Sequence, residues 1–279
     1  MNKFFLLLGF IVLFPYMKTE ISELPHSDLS VCDINEKAFT EGEFIKYKLY
    51  YNWGIIWLSA GEMTFSVKED QGQLYLLTEG YTYPSYEWLF EVNNRYESWL
   101  DPETLLPLRS VRSIQEGDYS LYDEVEYHRA AGVAVSHRAK KKGQPLKKIE
   151  YEIDDCAHDL LSILYSARCV PFDLERHQKG TEIPIPLFFD KKEYDLSLIY
   201  RDHQANKKIK DLGHFDVLRF SPYLPDSDYF KGGDEMEIWV TNDKNKLPLY
   251  IESPLKVGKV KAILTEYDGL KYPLNAKNK

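Results

Sequence analysis

The sequence predicts a mainly β protein, a curved antiparallel sheet or half-barrel with one substantial α-helix in mid-chain. Three observations carry this. From Glu41 onward, short runs of alternating apolar and polar residues are broken by Gly, Asp or Pro at intervals of about 10 to 14 residues, the rhythm of an antiparallel meander. Outside the N-terminal leader, only the segment CAHDLLSILYSAR has helical spacing instead, with Leu160, Leu161, Leu164, Tyr165 and Arg168 on the 3.6-residue period. Two distant hairpins also echo each other. Trp99-Leu100-Asp101 precedes Leu106-Pro107-Leu108, and Trp239-Val240 with Asn242-Asp243 precedes Leu247-Pro248-Leu249. Either two ordinary hairpins share turn chemistry, or one hairpin unit recurs in a curved sheet.

The chain opens with Lys3 and the apolar run Phe4 to Phe14, ended by Pro15, Tyr16 and Lys18. Such a run, as helix, reaches only about 16 Å, short of the roughly 20 residues that cross a bilayer. Residues 1–18 therefore read as a secretory signal peptide. No A-x-A-like pair marks the cleavage site, so the boundary is open as far as residue 31, and an uncleaved anchor is the alternative. Nothing later resembles a transmembrane segment. Residues 32–272 are read as a single β-rich domain, long enough for a sizeable core, and 273–279 as a polar tail.

Within that domain the strands are expected in order. Phe44 to Tyr51 leads to a break at Asn52-Trp53-Gly54. Ile55 to Ser59 and Met63 to Val67 follow as two strands parted by Ala60-Gly61-Glu62. Gln71-Gly72 turns the chain into Leu74 to Tyr83, and then come Arg95 to Leu100, Leu106 to Gln115, Ser120 to His128 and Val133 to Lys140. Lys140-Lys141-Lys142 and Lys147-Lys148 read as a solvated hairpin turn, with a lipid-headgroup or acidic-partner contact as the alternative. The helix is expected from Asp155 to Arg168, stopped by Pro171. Ile183-Pro184-Ile185-Pro186 is an extended connector or an edge strand, because proline cannot donate to a central ladder. Tyr194 to Asp202, His214 to Ser221, Glu235 to Thr241, Pro248 to Glu252 and Val257 to Tyr267 complete the set.

The net charge is −9, or −11 without Lys3 and Lys18. So acidic a chain is unsuited to nucleic acid. In an oxidising compartment two of the three cysteines pair. Cys156 and Cys169 would lie at opposite ends of the helix, about 20 Å apart at 1.5 Å per residue, too far for a bridge. Cys32 is then the partner of one of them. Cys156, which begins the helix as Cys32 begins the mature domain, is favoured. Cys32 as a lipid-modified anchor is the weaker reading, since Leu29-Ser30-Val31 puts Val where a small residue is wanted.

Glu41-Gly42-Glu43, the run from Tyr47 to Trp53 and Ala60-Gly61-Glu62 resemble the opening of the family of domain of unknown function 3108. Cys156 to Ser162 with Ala167-Arg168 resembles its mid-chain helix, and Trp239 to Asp243 with Leu247-Pro248 its late hairpin. The resemblance implies an exported protein of a Gram-negative envelope and brings no activity with it. It also implies cysteines at the positions of Cys32 and Cys156, which supports that pair. The Trp-turn-Leu-Pro hairpin is distantly similar to the curved sheets of lipoprotein carriers, which wrap a lipid-sized apolar cavity around a helix plug.

No catalytic signature is recognisable. His158-Asp159, with Asp154 and Asp155 nearby, reads as an acidic cap at the positive end of the helix dipole, because Ser162 lacks the glycines of a nucleophile elbow. The histidines show no metal-ligand spacing. Asp226, Asp228 and Asp234 with Gly232-Gly233 depart from a calcium loop. No cofactor or metal is expected. The candidate ligand-facing residues are the aromatic group Tyr81, Tyr83, Tyr86, Trp88 and Phe90 around Pro84, whose rings and phenol groups suit the mouth of a cavity. These features predict a non-enzymatic periplasmic or envelope protein that binds or carries a hydrophobic or amphipathic component, a lipid or lipoprotein. The alternatives are a hydrolase of envelope glycans or lipids and a structural interaction module.

Overall fold

The computed structural model describes residues 29–53, 56–87, 91–223, 233, 236–255 and 258–278. The expected signal peptide, and the expectations for Gly54, Ile55, Trp88, Phe90, Asp226, Asp228, Gly232 and Asp234, lie outside the described residues. The strands are Phe44–Trp53 (β1), Ile56–Asp70 (β2), Gln73–Thr82 (β3), Asn93–Leu100 (β4), Pro107–Glu116 (β5), Tyr119–His128 (β6), Val133–Ala139 (β7) and Lys147–Glu152 (β8). After the helix come Glu182–Phe189 (β9), Lys192–Ile209 (β10), Gly213–Tyr223 (β11), Glu237–Thr241 (β12), Pro248–Pro254 (β13) and Lys259–Asp268 (β14). The helices are the single turn Pro84–Glu87 (α1) and Leu160–Cys169 (α2).

All the strands form one antiparallel sheet, ordered β8-β7-β6-β5-β4-β3-β2-β1-β14-β13-β12-β11-β10-β9. The chain enters at the centre, winds out to β8 at one edge, crosses through α2 to β9 at the other edge, and winds back to β14. The sheet must curl. Flat strands spaced about 4.8 Å apart would put β4 and β9 roughly 40 Å from each other, yet α2 touches both. It does not close into a barrel. Past the edge strand β8, the segment leading into α2 reaches β9, where the His158 N–H donates to the Pro186 carbonyl at 3.0 Å and the Phe188 N–H to the His158 carbonyl at 2.8 Å.

Alternation builds the inner face: Ile45, Tyr47 and Leu49 on β1 and Met63, Phe65 and Val67 on β2 are buried. The expected break at Ala60-Gly61-Glu62 is instead a bulge inside one long strand. Leu49 pairs with Gly61 and Tyr50 with Ser59, leaving Ala60 as the extra residue. Gly61 serves there because a Cβ would strike the Tyr81 carbonyl oxygen. The Ile183-Pro184-Ile185-Pro186 segment is an edge strand, and β10 runs well past its expected end through two register shifts against β11. Lys147-Lys148 is not turn but the start of β8, a charged outer strand of the kind that discourages further pairing.

The helix begins at Leu160, later than expected. Residues 156–158 are held elsewhere, Cys156 by its disulfide and His158 by β9. The cap is Asp159, whose carboxylate accepts from the N–H groups of Leu161 and Ser162 at 2.8 and 2.7 Å. The Ser162 hydroxyl accepts from the Asp159 N–H at 2.9 Å, completing a reciprocal capping box. Cys32 and Cys156 form the disulfide, with Cα atoms 5.8 Å apart. Cys169 is a free thiol buried at the helix C-terminus, where it donates to the Tyr165 carbonyl and accepts from the Ala38 N–H.

Candidate binding cavity

Helix α2 has two apolar faces. Leu161, Tyr165 and Cys169, spaced by four, pack into the core that β1 to β4 share with Val217, Trp239, Leu249 and Leu264 of the second half. Leu160, Ile163, Leu164 and Ala167 turn the opposite way, and Leu164 remains exposed. That second face fronts a cavity of about 200 Å³ whose far wall is the curved sheet from β9 to β13. Period-two alternation sets the wall. Ile183, Ile185 and Leu187 of β9 and Tyr194, Leu196 and Leu198 of β10 line it. Pro184 and Pro186 alternate with the first three, and their missing N–H groups fall on the free edge of β9, where the ladder needs none.

Three of the described lining residues carry polar side-chain groups. Arg168 is already matched, bidentate to Glu43 at 2.6 and 2.8 Å and donating from Nε to the Asn245 carbonyl. The Tyr194 hydroxyl is buried without a hydrogen-bond partner among the described residues, and burial pushes its ionisation upward. Lys246 is the third. Burial pushes its ammonium pKa below the ordinary lysine value. Among the described residues no carboxylate lines the cavity.

Of the aromatic residues singled out in the sequence, Tyr81, Tyr83 and Tyr86 lie elsewhere. Tyr81 is exposed on the solvent face of β3, Tyr83 follows the strand, and Tyr86 sits half-buried on α1. The Tyr81 and Tyr83 hydroxyls donate to the two Glu62 oxygens at 2.8 and 2.9 Å, and Lys46 pairs with the same carboxylate. None of the three tyrosines is among the cavity-lining residues. His158 and Asp159 are buried below the helix start. The His158 Nδ1 lies 3.0 Å from the Ser162 hydroxyl, but the Asp159 carboxylate is spent on the helix N-terminus and Ser98 rather than on the imidazole. A base oriented by an acid is therefore not assembled. Burial, reinforced by the nearby Arg129 charge, drives the His158 pKa down to about 4.

The two echoing hairpins share one backbone device. The register shifts directly after Trp99 and directly after Trp239. In each, the residue before Leu-Pro has positive φ, +59° at Leu105 and +44° at Lys246. An arginine covers each tryptophan, Arg109 at 4.4 Å and Arg219 at 5.4 Å from the ring centres. The sequence pointed to the hairpins but not to the cavity beside the second one. Its available signals were the alternation at 183–187 and 194–198 and the helical spacing of Leu160, Ile163, Leu164 and Ala167.

The family model described as a protein of unknown function, DUF3108, matches residues 46–265. No curated protein matches the chain. Among solved structures, a β-barrel-like protein of domain of unknown function DUF1849 from Brucella abortus is similar at a TM-score of 0.56 and 10% identity, covering 82% of this chain and 98% of that one. At that identity the likeness shows the fold alone. A Bacteroides fragilis protein described as exported, with a YmcC-like fold, is 10% identical over 82% of this chain and 97% of its own. One from Parabacteroides distasonis described as a lipoprotein is 12% identical over 83% and 98%. Both have a TM-score of 0.29 and add nothing to the fold argument.

Proposed function

The chain belongs to the DUF3108 family, and from that premise we propose that it is a non-enzymatic binder or carrier of an apolar or amphipathic component of the cell envelope, held between α2 and strands β9 to β13. The observation that carries this reading is the apolar face of α2, Leu160, Ile163, Leu164 and Ala167, standing off an equally apolar wall across about 200 Å³. Protein interiors close such gaps when nothing is meant to fill them. The leader-like segment Phe4 to Phe14 and the Cys32–Cys156 disulfide support a periplasmic or envelope location.

The test is a neutral apolar reporter, N-phenyl-1-naphthylamine, titrated into the purified protein. Its fluorescence should rise on binding to the parent. Ala167→Phe puts a ring into the cavity from the helix side and should abolish the rise while leaving the melting temperature unchanged or higher. A parent that does not bind the reporter, or a folded Ala167→Phe variant that binds it equally well, overturns the reading.

A further inference from the structure

We propose that the occupant is a single-chain anionic amphiphile of the fatty-acid class, its chain laid along α2 and its carboxylate on the Lys246 ammonium. This rests on the cavity being a binding site and adds which chemistry it selects.

Lys246 is a cation with no direct partner among the described residues. Its Nζ makes no hydrogen bond or ion pair among the described residues, whereas Arg168, the other lining cation, is neutralised by Glu43. The carboxylates whose charges reach Lys246 are engaged elsewhere. Asp243 accepts from the Thr241 hydroxyl and from the N–H groups of Asn245 and Ala276. Asp216 is taken by His203 and Asn242, and Asp173 by the Glu175 N–H. A half-buried ammonium left thus beside an apolar space gains most from an anion that arrives with its own apolar tail.

The backbone makes the placement specific. Lys246 occupies a left-handed position that a side chain other than Gly or Asn adopts at a cost. The corresponding residue of the sister hairpin is Leu105, fully buried in the core. The turn therefore does not require lysine. In both turns this residue faces the interior, Leu105 in the core and Lys246 on the cavity, and only in the half that contains the cavity is its side chain charged.

Size and charge set the ligand class. Lys246 adjoins Asn245, whose carbonyl receives Arg168 near the C-terminal end of α2. Tyr194 lies at the opposite end, paired with Leu187 next to His158. The cavity thus runs the length of a helix of ten residues, about 15 Å at 1.5 Å per residue. Its volume is about 200 Å³, somewhat above the roughly 150 Å³ that accommodates benzene. That suits one narrow chain rather than two. One ammonium matches one negative charge, which favours a carboxylate over a phosphate dianion.

The experiment compares dodecanoate with 1-dodecanol as competitors of N-phenyl-1-naphthylamine, on the parent, Lys246→Asn and Lys246→Arg. Asn is chosen because it tolerates the positive φ. A charge-assisted contact predicts that the parent prefers the carboxylate by roughly tenfold to a hundredfold. Lys246→Asn should remove the preference by weakening dodecanoate alone, and Lys246→Arg should keep most of it. Equal affinity of the two competitors for the parent overturns the anionic assignment while leaving the cavity reading intact. A preference that survives in Lys246→Asn overturns the role of Lys246. Tighter competition by a diacyl phosphatidate overturns the single-chain class. Failure of the reporter itself to bind the parent counts against the cavity reading, and so separates the two.

Discussion

Breaking the disulfide is the sharpest test of how the N-terminal strap, residues 29–43 ahead of β1, is held. Cys32 and Cys156 are 124 residues apart. For a loop of that size the chain-entropy relation gives about 4.9 kcal/mol at 25 °C, an upper figure because strain and residual unfolded structure reduce it to a typical 2–4 kcal/mol. In a domain of this size each kcal/mol shifts the melting temperature by about 2–4 °C, so Cys32→Ser/Cys156→Ser should melt about 5 to 15 °C below the parent. The variant should still fold, because Leu29 and Val31 are buried beside Ile163 and Phe172 and keep the strap docked. Circular dichroism melts with and without reductant give the shift. Peptide mapping without reductant should recover Cys32 joined to Cys156, with Cys169 alkylatable only after unfolding. A melting temperature within about 2 °C of the parent, or a Cys156–Cys169 peptide, refutes the reasoning.

Two further predictions concern buried charge. Glu116 is buried, and desolvation lifts its carboxyl to about 7, against a compensating hydrogen bond from Asn94. Its unfolded value is near 4.5, so the folded state keeps a proton that the unfolded chain has lost, and stability falls as pH rises from about 4.5 to about 7. Glu116→Gln should gain roughly 1–3 kcal/mol at pH 8 and almost nothing at pH 4.5, measured by urea unfolding at both values; an equal gain at both would discard the assignment. Arg168 and Glu43 form a pair almost wholly out of water. Glu43→Gln should cost about 3 kcal/mol or more by stranding the guanidinium, and Glu43→Leu/Arg168→Met should recover most of it. Equal losses in the single and double variants would show that the charge pairing is not what matters there.

The sequence was legible where local pattern and tertiary environment agree. Alternation from Phe44 onward located nearly every strand, and helical spacing located α2 and kept Cys156 away from Cys169. It was ambiguous where a tertiary contact decides between equal local choices. Asp154, Asp155 and Asp159 are all competent caps, and the selection of Asp159 follows from the bonds that tie His158 to β9. Ala60-Gly61-Glu62 has the composition of a break, and only the pairing of β1 with β2 makes it a bulge. The place and lining of the cavity were illegible for a similar reason. Residues 160–167 and 183–198 each announce an apolar face, but periodicity does not say whether two such faces meet or stand apart. Lys246, in a polar turn beside Lys244 and Asn245, has nothing in its local sequence to separate it from a solvated lysine.

The two halves of the sheet meet α2 differently, and that difference explains why the cavity lies on one side. Across the inner face of the first half, Asp123 collects Arg112, Arg138 and the Ser136 hydroxyl. Burial alone would raise its carboxyl, but the two guanidinium groups outweigh it and hold the pKa down to about 2. Asp190, at the tight turn between β9 and β10, reaches the same arginines at 3.3 and 2.9 Å. The edge hairpin is thereby folded over the first half and leaves only about 30 Å³ there. Directional bonds of this kind draw their partners to fixed distances and close the space between them. The second half offers α2 chiefly aliphatic side chains, whose attraction is non-directional and sets no such spacing. With the helix anchored to the first half through Asp159 and to the loop before β13 through Arg168, its remaining face stands at a distance fixed by those anchors rather than by contact. The polar network therefore positions β9 against the helix, and the aliphatic wall stays open.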